Sequence, residues 1–136
     1  MKLTFVDAGV LIAAARGGNV QAARAMEILD DPEREFAASP FLRLEVVPQS
    51  RFNKRETEVA FYEAFFASVQ RWATDLEAVT NIAIREASLN GIQAMDALHV
   101  AAAVTVGVSE LITTEKRSRA IHRTRSVKIV TIHPEP

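Results

Sequence analysis

Met95-Asp96-Ala97-Leu98-His99-Val100-Ala101-Ala102 sets one carboxylate at the head of an alanine-rich run that extends to Val106. Small residues let a helix approach a sheet closely, and Asp96 falls in the first turn, where the positive end of the helix macrodipole favours an acid. The stretch predicts a helix over 95–106, packed on a sheet and presenting an acid at its N-terminal end.

Outward from there, apolar runs alternate with amphipathic ones. Glu110–Thr113 and Val127–Ile132 read as strands, and Leu76–Leu89 as a helix closed by Asn90-Gly91, a suitable left-handed cap. At the start of the chain Leu3–Val6 reads as a buried strand ending in the Asp7-Ala8-Gly9 turn, followed by helical stretches at 10–15 and 20–29. Glu35–Ala38 is a second early strand. Ser39-Pro40 then opens a helix expected to end near Pro48, because Ser caps free N–H groups and Pro suits the first helical position. Arg51–Arg55 is expected as a polar, basic loop. Glu56–Ala73 has the strongest amphipathic period, with Val59, Tyr62, Phe65, Phe66, Val69 and Trp72 at three- and four-residue steps. Strands alternating with helices imply a parallel, helix-covered sheet. Ligands of such sheets bind beyond the carboxyl ends of the strands.

Four acids interrupt or directly follow apolar runs. They are Asp7 in Phe5-Val6-Asp7-Ala8-Gly9, Glu45 in Leu42-Arg43-Leu44-Glu45-Val46-Val47, Asp96, and Glu115 after Leu111-Ile112-Thr113-Thr114. A carboxylate in such a setting is expensive to hold unpaired, and several brought together repel one another unless a cation neutralises them. A magnesium-type site is the simplest account. Each acid alone has a plainer structural explanation: a helix cap for Asp7, a first-turn charge for Asp96, a solvent-reaching helix residue for Glu45, a surface residue for Glu115. Four separate coincidences are harder to accept than one shared site.

The rest of the composition narrows the function. At 136 residues the chain is read as one domain, 1–136, with 49% apolar and 24% charged residues. The absence of cysteine removes thiolate zinc sites and cysteine nucleophiles. Asp7 interrupts the only early apolar stretch, so no signal peptide is expected there, and no run approaches the ~20 apolar residues of a membrane helix. The expectation is a soluble, cytoplasmic protein without a membrane partner. The net charge of −1 hides an asymmetry: residues 116–134 carry six Lys or Arg and no acid. Lys116, Arg117 and Arg119 begin immediately after Glu115, where they would hold the phosphates of a polyanion beside the acidic site. A solvated connector explains the same segment without any ligand.

The four acids, in this order and spacing, resemble the PIN domain, and in size and order the VapC-type toxins of prokaryotic type II toxin–antitoxin pairs. Asp-Ala-Leu-His-Val-Ala-Ala at 96–102 is the most specific piece, and the likeness spans nearly the whole chain. The resemblance implies a three-layer α/β/α fold with a central parallel sheet of four to five strands. It also implies a metal-dependent endoribonuclease that binds Mg2+ or Mn2+ through Asp7, Glu45, Asp96 and Glu115. The partners it implies are an RNA substrate, a VapB-type antitoxin and a second copy in a homodimer. Magnesium's preference for oxygen ligands and retained waters agrees with acids unaccompanied by a His or Cys cluster. One ion, or two ~3.5–4 Å apart, would leave the same signature. Two positions depart from the family pattern: Ala8 stands where many relatives have Ser or Thr, and Glu115 where Asp is common. They favour the alternative, a catalytically weak PIN-like RNA-binding or regulatory module.

Other readings are poorer. A phosphatase of the haloacid dehalogenase type needs a second Asp two residues after the first, where this chain has Gly9. A receiver domain needs an acidic pair at the end of its first strand. His99, three residues after Asp96, is expected as a hydrogen-bonded core residue, with the orienting of a site carboxylate as its other possible role. Thr113 and Thr114 either assist the site or simply end a strand. Phe65, Phe66 and Trp72 read as core or interface, and Phe61, off the main stripe, as a candidate dimer contact.

Overall fold

A computed structural model describes residues 1–135. The chain runs β1 (Lys2–Val6), α1 (Ala8–Arg16), α2 (Val20–Leu29), β2 (Arg34–Ala38), α3 (Pro40–Phe52), α4 (Glu56–Ser68) and β3 (Arg71–Trp72). It continues through α5 (Leu76–Asn90), α6 (Ala94–Val106), β4 (Glu110–Thr113), a short 3-10 helix (Ala120–Arg123) and β5 (Ile129–Thr131). The five strands form one sheet in the order β3-β2-β1-β4-β5, and every pairing is parallel.

That order decides where a ligand can sit. After β1 the chain moves outward to β2 and β3; it then returns to lay β4 on the other side of β1. Right-handed crossovers, the rule for parallel connections, lead α1–α4 over one face and α5 and α6 over the other. The two directions part between β1 and β4, so a crevice opens at the carboxyl ends of those two strands. The strands themselves are nearly continuous apolar runs, as burial on both faces requires: Phe5, Val6, Ala37, Ala38, Leu111 and Ile112 are all buried. The alanines of α6 do as their size suggests, with Ala97, Ala101, Ala102 and Ala103 buried in the core.

Local signals place most boundaries. Asn19 and Ser39 accept hydrogen bonds from the backbone N–H of Ala22 and Leu42, and Asp75 does the same for Ala78. Gly91 takes the left-handed conformation expected of it, with φ 67°.

Three expectations need correction. The helix opened by Pro40 runs through Pro48 to Phe52, leaving only Asn53–Arg55 as the connector. Pro48 removes one backbone bond, but Val46, Val47 and Ser50 are buried on that helix, and their packing outweighs the loss. The helix expected over 56–73 stops at Ser68, whose hydroxyl turns back to the carbonyl of Phe65 at 2.7 Å. Residues 71–72 then form an edge strand. Gln70 clasps Phe36 twice, by backbone N–H to its carbonyl and by side-chain oxygen from its N–H, and the Ala73 N–H reaches the Ala38 carbonyl. Sheet pairing at distant residues overrides the local helical period. Finally, β5 is shorter than expected, at Ile129–Thr131. Among the described residues, no helix is long and apolar enough to cross a membrane.

Candidate functional site

Asp7 is the first residue past β1 and the N-cap of α1. Its Oδ1 accepts from the Val10 N–H at 3.3 Å, so the helix-capping explanation holds as far as it goes. Its Oδ2 does something a cap does not need. It accepts from the Thr113 hydroxyl at 2.5 Å, across the junction of β1 and β4. The parallel register makes this contact: Val6 pairs with Ile112, and the Asp7 N–H donates to the Ile112 carbonyl, which brings residues 7 and 113 side by side.

Close approach at this corner requires a glycine. A Cβ on Gly9 would lie 2.1 Å from Thr114 Oγ1 and 3.2 Å from both of that residue's side-chain carbons. No Thr114 rotamer escapes all three contacts, so Gly9 lets the loop after β4 close over the first turn of α1.

The other three acids come to the same edge from separate elements. Asp96 is half-buried in the first turn of α6. Glu45 projects from the middle of α3, with its side chain 36% exposed, and its Oε1 lies 2.6 Å from Nε2 of His99. Glu115 lies two residues beyond β4. Its backbone N–H donates to Thr113 Oγ1, and its carbonyl is met by the Thr131 hydroxyl at 2.6 Å and by His122 Nε2 at 3.0 Å. Its carboxylate faces Arg119, 3.5 Å away.

The electrostatics show that these groups share a field. Burial pushes the Asp7 carboxyl up to about 6, and Asp96 adds repulsion; the Thr113 and Val10 hydrogen bonds and the nearby His99 oppose but do not cancel this. Asp96 is also held above its ordinary value, first by burial, then by the charges of Glu115 and Glu45. Asp7 and Asp96 form no ion pair with any Lys or Arg among the described residues. Glu45 and Glu115 do have partners, His99 and Arg119. The four acids are neighbours without being a closed cage: among the described residues, no three His, Asp or Glu side chains are drawn together tightly enough to enclose a cation.

His99 fits both roles expected of it. It is 1% exposed and packs 5.9 Å from the Phe5 ring, so it is a core residue; it also holds a site carboxylate. His122 and Thr131, which carry no motif, anchor the backbone of Glu115. Only their place in the sheet and loop could have drawn attention to them. The basic segment is less unified than its composition suggests. Arg119 faces Glu115, Lys116 pairs with Glu135 at 2.9 Å, and Lys128 lies at the opposite edge of the sheet, near Glu110. Arg117 is exposed.

Comparison with known proteins agrees with this architecture. No curated protein sequence matches the chain. Three solved structures share its fold at a TM-score of 0.69. VapBC2 from Rickettsia felis, bound to a DNA fragment from its promoter, is 15% identical over 95% of this chain and 98% of that one. DNA-bound VapBC from Salmonella typhimurium is 16% identical over 97% and 99%. A toxin–antitoxin complex from Klebsiella pneumoniae is 18% identical over 96% and 98%. The family model described as PIN domain matches residues 4–124, a span that contains Asp7, Glu45, Asp96 and Glu115. With most of its length under that match and the topology to go with it, the chain belongs to the PIN domain family.

Proposed function

We propose that the chain is an Mg2+- or Mn2+-dependent endoribonuclease and the toxin of a prokaryotic type II toxin–antitoxin pair. The observation that carries this reading is the pair Asp7 and Asp96. Both have raised carboxyl pKa values, both stand at the topological switch of the sheet, and neither forms an ion pair with a Lys or Arg among the described residues; the charge of Arg119 offsets the rise at Asp96 only in part. The donor set fits magnesium. That ion keeps several waters and is commonly held by one or two carboxylates rather than by an all-protein cage, so an open arrangement of acids is suitable. Asp7 and Asp96 are the proposed direct ligands, with Glu45 and Glu115 completing the shell or serving a second ion.

When bound, the ion supplies charge neutralisation at the phosphodiester and acidifies the attacking water. The chain's own residues set the stage. Thr113 fixes one oxygen of Asp7, His99 fixes Glu45, and Thr131 and His122 hold the backbone from which Glu115 projects. Lys116, Arg117 and Arg119 are proposed to contact phosphates flanking the cleaved bond, a contact that weakens with salt. Likeness to VapBC complexes supports a VapB-type antitoxin as partner; a homodimer and a cytoplasmic setting belong to the same proposal.

The test is cleavage of RNA by the purified chain with Mg2+ or Mn2+, with chelator, and with Asp7→Asn. Metal-dependent cleavage lost in the variant supports the reading; equal cleavage by both proteins removes it. Two observations favour the alternative of a catalytically weak RNA-binding or regulatory module. Glu115 is engaged by Arg119, and Ala8 offers no hydroxyl to the site. RNA binding without cleavage under every metal condition would select that alternative.

A further inference from the structure

Glu45 belongs to a second feature besides the acidic edge. At four-residue steps from it come Gln49 on α3 and Asn53, the residue that caps the helix's carboxyl end, so the three follow one side. Both amides are exposed, and neither side chain makes a hydrogen bond among the described residues. They line a polar pocket of about 210 Å3 between α1, α3 and α4, and Glu45 lines it too. Drug-sized ligands occupy pockets from ~300 Å3 upward, so this one suits a single ring.

The floor and walls of the pocket carry unspent hydrogen-bonding capacity. Tyr62 lies at the floor and is 0% exposed, with the Ser50 hydroxyl beside its own; burial, with Glu58 nearby, holds the phenol above its ordinary range. Arg16 and Arg55 stand at the walls, about half exposed. Glu58 anchors Arg16 at 3.0 Å, faces Arg55 at 3.9 Å, and accepts from Ser50 at 3.2 Å. The two guanidiniums are steadied by one carboxylate and still have donors to offer.

We propose that this pocket is a subsite for one nucleobase of the RNA strand next to the scissile phosphate. The inference rests on the nuclease reading. Gln49 and Asn53 would read the base edge, as side-chain amides do when they pair with the polar edges of unstacked bases. Arg16 and Arg55 would hold the adjoining phosphate. The polar lining favours a base over an aliphatic side chain of a protein partner. The shared wall at Glu45 places the base one step from the chemistry.

The experiment uses the full chain with Mn2+ and an RNA oligonucleotide randomised on both sides of the cleaved bond. Products are sequenced for the wild type and for Gln49→Ala/Asn53→Ala, with melting curves to verify folding. The wild type is expected to show base preference at one position near the cut. The double variant should flatten that position by ~5-fold per lost hydrogen bond. Preferences elsewhere should stay as they were. An abasic nucleotide at that position should slow the wild type and have little effect on the double variant. If the wild type cleaves with a profile that the double variant reproduces, the subsite is overturned and the pocket passes to a protein side chain. If the wild type cleaves no RNA, the nuclease reading falls first and the subsite with it.

Discussion

Where the strands begin, Glu110 is buried among Arg34 at 2.7 Å, Lys2 at 3.6 Å and Lys128 at 3.7 Å; where they end, Asp7 is just as buried and faces none. The same sheet thus holds two enclosed carboxylates in opposite electrostatic states. For Glu110, burial raises the pKa, but the Arg34 hydrogen bond and charge, with Lys2 and Lys128, bring it below its ordinary value. For Asp7, burial wins. A buried acid that serves only the fold needs compensation, as the high desolvation penalty of an unpaired charge demands: protein cations at Glu110, and the hydroxyls of Thr124 and Ser126 at Glu86, which is 2% exposed. Asp7 has hydrogen bonds too, yet its pKa stays raised, which leaves a place for a cation from solution.

The sharpest way to break the comparison is catalysis. Asp7→Asn and Asp96→Asn are each expected to lower metal-dependent RNA cleavage by more than ~100-fold, beyond the loss typical of groups that only support a ligand, with the fold retained by circular dichroism. Full activity in either variant would place the cation site elsewhere.

The opposite edge should answer in stability instead. Glu110→Ala leaves Arg34 buried with less compensation and is expected to lower unfolding free energy by about 3 kcal/mol, the lower end for a broken buried pair because Asp31 still faces Arg34. Urea denaturation measures this. Cleavage per folded molecule should not change.

The pH dependence of the metal-free protein should carry opposite signs at the two edges. Between the ordinary 3.8 of Asp7 and about 6, the folded chain binds more protons than the unfolded one, so this site loses stability as pH rises. The shift corresponds to about 3 kcal/mol, fully felt above pH 6. Asp7→Asn keeps the cap acceptor and removes the charge. It should therefore stabilise the apo protein by up to that amount at pH 8, and hardly at all at pH 4. Glu110, with its lowered pKa, contributes stability that is present above the ordinary 4.5 and lost as pH falls through the folded value. Urea denaturation of wild type and Asp7→Asn from pH 8 to pH 4 gives the first sign, and of wild type and Glu110→Ala from pH 8 to below pH 4 the second. A constant difference between wild type and Asp7→Asn would mean that Asp7 is not penalised by burial.

The smallest expected effect is metal stabilisation. At tenfold above its dissociation constant, Mg2+ or Mn2+ should stabilise the wild type by about 1.4 kcal/mol through mass action. Asp96→Asn should lose most of this gain, whereas Glu110→Ala should retain it. Thermal melts with and without metal distinguish the two edges; equal shifts in all three proteins would mean binding unrelated to the site.

How much of this was legible in the residues can be traced element by element. Leu3–Val6 and Glu110–Thr113 announced themselves as strands because buried parallel strands are nearly all apolar. The caps at Ser39 and Gly91 act within one helical turn, so their chemistry is local and readable. The four acids stood out because each broke an apolar run. By contrast, Trp72 lies on a helical period yet ends in an edge strand, since its partner Ala38 is more than 30 residues away. Pro48 looked like a stop, and the packing of Val46, Val47 and Ser50 made it an interior residue.

The sequence by itself determined a parallel α/β architecture, the identity of the candidate acids and the likeness to a family, because period, capping and residue chemistry act over a few positions. Only the tertiary structure decided which buried acids have cations and which do not. Glu110 opens β4 only three residues before Thr113, the hydroxyl bound to Asp7, and nothing in their neighbours distinguishes a structural acid at 110 from a site group at 113. Parallel register put Arg34 beside the first and Asp7 beside the second. Charge compensation is a matter of distance in space, and distance in space is set by how the strands align.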